Sequence, residues 1–346
     1  MKNVEAKLHP MSKVARVNLD TRISGEIAND RLKLVEARCC LCETEEAKSI
    51  ATGEDFEYLT SDDSFEVSQC QLCSLVYLNP RPDISEFERI YPPEYHAFEF
   101  SEQEFGLVYR IRRKLEAKRL LRWCTGLKQK ARILDVGCGD GFHLGLLEEF
   151  GEESWELEGI DLDQRAVDIG RKQGLNIRHG SLETLQMPES HYDLIILVQT
   201  LEHVAEPVEL LQKIRSLLRP GGRLVVVTDN TRSLDFRLFK GRYWGGYHFP
   251  RHWYLFNPST IRNLAEITDF TVDRLTTQVS PVNWTYSIHN WLVDRKAPSW
   301  LRSFFSLRSP IALSFFTVFD LLNQLLGRGA LINATLCRPV EPVPKP

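Results

Sequence analysis

Four cysteines fall into two Cys-x-x-Cys pairs, Cys39 with Cys42 and Cys70 with Cys73, with 27 residues between the pairs. Such pairs form knuckles that can place four thiolates tetrahedrally around zinc. The intervening stretch has few apolar residues, so a metal would supply order that so small a core cannot. A complete set of four thiolates leaves no open position for water or substrate. The expected role is therefore structural Zn2+, with a redox dithiol as the alternative. Cys40 stands beside a knuckle but outside its spacing.

A second chemical feature is the turn Ile133-Leu-Asp-Val-Gly-Cys-Gly-Asp-Gly141. An apolar strand running into Gly137, Gly139 and Gly141 brings bare backbone to a strand end, where a bulky ligand can approach. About twenty residues on, Asp161 ends a second apolar run, Gly159-Ile-Asp-Leu162, and its carboxylate can accept from both hydroxyls of a ribose. The spacing is Gly-x-Gly-x-Gly, not the Gly-x-Gly-x-x-Gly expected for a dinucleotide, and Asp135 stands at its entrance. That carboxylate repels a pyrophosphate and accepts a sulfonium bearing an amino group. Cys138 suits a tight turn by its size and is not needed as a nucleophile. Asp163 reads equally well as a helix cap.

On these residues, 131 to 228 resemble the class I S-adenosylmethionine-dependent methyltransferases. Gly180-Ser-Leu-Glu183 occupies the place of that family's adenine-side turn, with Ser181 where an aspartate is common. Tyr192-Asp-Leu194 with Leu201-Glu-His-Val204 resembles its fourth strand and Glu-His loop, and Leu218-Arg-Pro-Gly-Gly222 its turn into strand five. The resemblance implies S-adenosylmethionine as cofactor, bound by Asp135, Gly137, Cys138, Gly139, Gly141, Asp161, Leu162, Ser181, Leu182 and Gln199. The run Cys70 to Pro82 is similar to the zinc-binding N-terminal part of bacterial methyltransferases of polysaccharide, lipid and secondary-metabolite synthesis. Glu43 and Ser74 stand where such knuckles often carry glycine.

Methyl transfer is an in-line displacement, so the protein must align acceptor and donor and hold a base where the acceptor is a hydroxyl. His203 follows the fourth strand, and His248 and His252 lie in Tyr247-His-Phe-Pro-Arg-His-Trp253, which resembles a Pro-Arg-His stretch of the same bacterial family. These three and Arg251 are the candidate catalytic residues. Arg251 would hold an anionic acceptor group or pair structurally with a carboxylate. The aromatics Trp244, Tyr247, Phe249, Trp253 and Tyr254 would cover the acceptor or pack on the zinc lobe.

The scaffold these residues require is an α/β fold: a Rossmann-like seven-stranded methyltransferase sheet, an N-terminal zinc-ribbon-like lobe and a C-terminal apolar helical insertion. Apolar runs alternate with helical stretches, placing strands at 132–136, 157–161, 176–179, 192–198, 222–228, 271–277 and 331–338. The organisation read from this is a mobile tail over 1–34, the zinc lobe over 35–95 and the methyltransferase core over 96–280. The insertion follows over 281–328, then the last strand and tail over 329–346. Apolar spacing from Phe105 to Trp123 marks an amphipathic helix, and its arginines and lysines read first as a solvated face, second as a contact for phosphate or anionic lipid.

The 346 residues are 43% hydrophobic and 26% charged, with a formal net charge of −4. A core of good size is available, and global attraction to nucleic acid is absent. No apolar signal run opens the chain, which reads as cytoplasmic, with peripheral contact at the inner face of the membrane as a second reading. The insertion between Pro298 and Gly327 is too interrupted to span a bilayer and reads as a lid or dimer-forming helical pair, or as a segment lying in the membrane interface. The partner expected is a small-molecule, sugar or glycolipid acceptor, methylated on oxygen. A zinc-lobed RNA methyltransferase is the first alternative, weakened by the lack of an Asn-Pro-Pro-Tyr base-flipping segment. A non-catalytic zinc-binding interaction protein is the second.

Overall fold

The computed structural model describes residues 31–92, 95 and 102–340. The tail read over 1–34 lies outside these residues up to residue 30, as do residues 341–346 of the terminal tail. Five short strands build the N-terminal part: β1 (Leu34–Val35), β2 (Ala47–Gly53), β3 (Phe65–Cys70), β4 (Val76–Leu78) and β5 (Arg81–Pro82). β1 pairs antiparallel with β5, and the buried Leu32 just before it draws the chain in, so order begins before residue 35.

The main sheet contains β6 (Arg132–Val136), β7 (Glu156–Asp161), β8 (Ile177–His179), β9 (Tyr192–Val198) and β10 (Leu218–Asp229). After the two-residue β11 (Tyr254–Leu255) come its last members, β12 (Thr271–Gln278) and β13 (Leu331–Cys337). Its order is β12-β13-β10-β9-β6-β7-β8, parallel from β10 to β8, with β13 antiparallel to both neighbours. Helices cover both faces, which is why β9 is buried along Tyr192 to Leu197 and reads as a continuous apolar run. β10 starts earlier than the Pro220-Gly221-Gly222 break suggests. Leu218 already pairs with Tyr192, and the register shifts before Arg223, where Gly221 takes φ +76°.

Local sequence sets the helices that frame the strand ends. Asp163 accepts from the Arg165 N–H and caps Gln164–Lys172. Asn257 forms a capping box with Thr260 ahead of Pro258–Ile267. The basic helix spans Glu102–Trp123, with Arg113 paired to Glu149 and Arg119 to Glu116. The insertion folds as helices Pro281–Asp294, Ser299–Phe304 and Pro310–Leu325. Among the described residues, no helix is long and apolar enough to cross a membrane.

The N-terminal sheet is completed by the main chain's later part. β11 adds antiparallel to β4, pairing Tyr254 with Tyr77 and Leu255 with Val76, to give the order β11-β4-β3-β2. The Phe249 ring stacks on Phe65 at 6.1 Å and lies where a side chain at Gly53 would be, 2.2 Å from an added Cβ. One apolar cluster runs from Val67 and Leu78 through Trp253 to Leu197 and Ile332. The segment holding Arg251 and His252 is thereby fixed by the lobe on one side and the sheet on the other.

Candidate active site

The glycine turn sits where β6 ends between β7 and β9. Gly137 and Gly141 adopt φ +72° and +83°, and a Cβ on Gly137 would lie 2.5 Å from the Thr200 side chain, so both positions need glycine. Asp161 accepts from the Gly139 N–H at 2.8 Å and from the Asp163 N–H at 2.8 Å, one on each oxygen. It thus shapes the turn and keeps one lone pair per oxygen. Asp135 is buried, and its Oδ2, 3.6 Å from His143 Nδ1, accepts no hydrogen bond. A buried orphan carboxylate oxygen behind an open backbone cradle fits a cationic amino-acid group.

The other expected cofactor residues are placed differently around this turn. Leu162 is 50% exposed at the lip, whereas the Leu182 side chain is buried in the core. The Ser181 hydroxyl accepts from the Glu183 and Thr184 N–H groups, closing its own turn. Gln199, at φ +50°, donates to Asp229 at 3.3 Å while its buried Oε1 has no hydrogen-bond partner. Burial raises the Cys138 thiol far above its ordinary range, so it stays protonated and does not act as a nucleophile.

Beyond Gln199 the structure brings His203, His248 and His252 together. The His203 and His252 rings lie 4.5 Å apart and those of His248 and His252 5.0 Å apart. His252 Nδ1 lies 2.8 Å from the Gly246 carbonyl and 3.4 Å from Asp229 Oδ2. A carbonyl only accepts, so Nδ1 carries the hydrogen and Nε2 keeps its lone pair. His203 Nδ1 lies 3.1 Å from the Arg251 carbonyl and 2.7 Å from the Tyr91 hydroxyl, which can donate to it or accept from it. Burial holds the His203 imidazole down to about 3, and it holds His252 well below its ordinary value, so both are neutral near pH 7.

Carboxyl groups close this chamber. Glu202 is fully buried and accepts from the Thr228 hydroxyl at 2.8 Å. Burial and the neighbouring Asp229 charge push it up to about 8, and burial pushes Asp229 up to about 7. Asp229 also accepts from Asn283 and Gln199, linking the strand end at Gln199 to the histidines. Arg251 has no exposed surface: it donates to the Ile90 carbonyl at 2.6 Å, the Phe249 carbonyl at 2.7 Å and Asp55 Oδ2 at 2.8 Å. Burial alone would raise the Asp55 carboxyl, but the Arg251 guanidinium and neighbouring donors bring it below its ordinary value. Of the two readings of Arg251, the geometry realises the carboxylate pair.

Sequence reasoning did not find Asp55, Glu57, Tyr91, Asp229 or Asn283. Only Asp229 left a trace, as a polar residue ending the apolar run of β10.

In the lobe, ligand atoms of Cys39, Cys42, Cys70 and Cys73 all lie within 4.8 Å of one another, a set that could hold a metal ion. The two knuckles repeat one backbone pattern. Glu43 N–H donates to Cys39 O at 2.8 Å as Ser74 N–H does to Cys70 O at 3.0 Å. Cys39 N–H reaches Thr44 O at 3.3 Å as Cys70 N–H reaches Leu75 O at 2.8 Å. Four convergent thiols on two matched turns fit a soft tetrahedral cation.

A family model described as a methyltransferase domain matches residues 107–275. A ubiquinone biosynthesis O-methyltransferase from Cereibacter sphaeroides is 30% identical over 172 residues, which cover 46% of this chain and 68% of that protein. A protein of the same description from Aeromonas salmonicida is 33% identical over 121 residues, 32% of this chain and 49% of its own length. A solved S-adenosylmethionine-dependent methyltransferase from Archaeoglobus fulgidus aligns over 69% of this chain and 98% of its own, at 20% identity and TM-score 0.44. The chain belongs to the class I S-adenosylmethionine-dependent methyltransferases, and it is an enzyme of that class.

Proposed function

We propose that the protein methylates an oxygen of a small-molecule, sugar or lipid-linked acceptor, held in the chamber of His203, His248 and His252, and that its four paired cysteines hold structural Zn2+. The observation that carries this reading is the neutral His252 imidazole, whose Nδ1 faces the Gly246 carbonyl and Asp229, which leaves its Nε2 lone pair unspent. The O-methyltransferase names of the relatives lend support.

S-Adenosylmethionine, when bound, supplies an electrophilic methyl group on a sulfonium. Asp135, Asp161 and the backbone of Gly137, Cys138, Gly139 and Gly141 would hold it, with Leu162, Ser181, Leu182 and Gln199 around them. On the acceptor side, His252 takes the hydroxyl proton at Nε2. In its ionised form Asp229, 3.4 Å from Nδ1, steadies the imidazolium that results. Buried aromatics such as Trp244, Tyr247 and Trp253 keep water from the reacting groups.

The test is His252→Ala, assayed for turnover and for cofactor affinity by calorimetry. Turnover falls by about 10²-fold or more while cofactor affinity holds. Near-normal turnover overturns the assignment.

A further inference from the structure

Helix Pro310–Leu325 turns only one side to the protein, through Ala312, Phe316, Asp320 and Asn323. Its other side carries Ile311, Phe315, Val318, Leu322 and Leu325, spaced by three and four residues and between 58% and 77% exposed. Trp300, on the preceding short helix, is 70% exposed and enlarges the same hairpin's apolar surface. Single exposed leucines are ordinary; a contiguous outward stripe of this kind marks an interaction surface.

The charges of the hairpin are equally one-sided. Residues 295–328 contain Arg295, Lys296, Arg302, Arg308 and Arg328 and a single acid, Asp320, in a chain whose net charge is −4. Asp320 is buried. It accepts from the Ser280 and Ala330 N–H groups and the Trp284 indole, so it holds the hairpin in place and presents no charge outward. The cations precede and follow the apolar helix in sequence. Asp294, the exposed acid just before Arg295, is taken up by Arg242 and Tyr243. From residue 295 to 328, an apolar face with cations at its ends and no exposed acid complements an anionic lipid surface, with apolar side chains in the acyl boundary and cations among headgroups. Self-association through this face would bring two copies of the same cationic hairpin together, at a Coulombic cost.

We infer that helix Pro310–Leu325, with Trp300, docks the enzyme on the surface of an anionic membrane. This inference rests on the hairpin and not on the identity of the acceptor. The hairpin is also joined to the chamber, because Trp284 stacks on Phe316 at 5.9 Å while Asn283, on the same helix, donates to Asp229.

The experiment is flotation of the full-length protein with vesicles of phosphatidylglycerol and phosphatidylcholine, beside vesicles of phosphatidylcholine alone. The protein floats with the anionic vesicles, and F315S/L322S and R295E/K296E each lower the bound fraction about tenfold or more. Unchanged melting of the variants shows that the fold survives. Absence of flotation, or equal flotation of wild type and variants, overturns the inference. So does a concentration-dependent dimer, abolished by F315S/L322S, in a protein that ignores vesicles; methyl transfer to a soluble acceptor is untouched by any of these results.

Discussion

The Glu57 carboxylate lies 2.6 Å from His248 Nδ1, with both side chains largely buried. Glu57 belongs to the loop between β2 and β3 of the N-terminal lobe, and His248 to the segment after the fifth main-sheet strand. The lobe therefore furnishes one wall of the chamber and sets a buried carboxylate against an imidazole in it. A lobe that served only as a handle for partners would have no cause to place a buried carboxylate there.

Removing that carboxylate should affect chemistry more than cofactor binding. Glu57→Gln keeps the shape and removes the carboxyl group that lies against the His248 ring. We expect turnover to drop about 10- to 100-fold with cofactor affinity within twofold of wild type, as for a group that orients a catalytic side chain. Steady-state kinetics and isothermal calorimetry separate the two. Equal losses in both would assign Glu57 to the cofactor pocket.

The Asp55–Arg251 pair should be a stability element. Both side chains are wholly buried, and the Arg251 guanidinium lies 4.4 Å over the Tyr58 ring. Asp55→Ala strands a buried cation and should cost about 3–5 kcal/mol in denaturant unfolding. Asp55→Ala with Arg251→Met removes the stranded charge and should recover part of that loss. No recovery in the double variant would mean that Asp55 acts chiefly through the turn it closes with Tyr58 and Thr60.

How much of this was readable in the sequence follows from where each interaction is made. The main-sheet strands were legible because β6, β9 and β10 are apolar runs between two layers of helices, and burial on both faces leaves its mark in composition. The glycine turn and Asp161 were legible because their geometry is local. By contrast, Asp55 and Arg251 are 196 residues apart in the chain, and a carboxylate in a polar loop looks the same whether it meets water or a guanidinium. β11 has two residues and no period to read; its strand character comes from β4, which it finds only in the folded state. The glycine turn was thus local and visible, while the histidine chamber is assembled from distant segments.

Metal removal should test the four cysteines. One Zn2+ per chain is the expected content by plasma mass spectrometry, and Cys70→Ser or a strong chelator should lower both the melting temperature and turnover. Turnover falls because β11 is held by the lobe's sheet, and the segment leading into β11 carries His252. A protein free of metal yet fully stable and active would leave the cysteines as a redox pair. At the knuckles, Glu43 and Ser74 hold φ of +54° and +66°. Each change to glycine should therefore add about 0.5–1 kcal/mol.

Stability should fall as the pH rises, on account of Glu202. Its carboxyl is pushed up to about 8 in the folded protein, whereas in the unfolded chain it ionises at about pH 4.3. Between those values the folded state keeps a proton that the unfolded state has released, so raising the pH favours unfolding. The stabilisation is complete below about pH 4 and has been lost by about pH 8; Asp229, also raised, acts in the same direction. Glu202→Gln removes this titration while keeping an acceptor for the Thr228 hydroxyl. The melting temperature of the variant, relative to wild type, should rise steadily from about pH 5 to about pH 8 in scanning fluorimetry without cofactor. A difference that stays flat across that range would mean that Glu202 is already ionised at its lower end. The fully buried carboxylate would then need a cationic partner, and none is paired with it among the described residues.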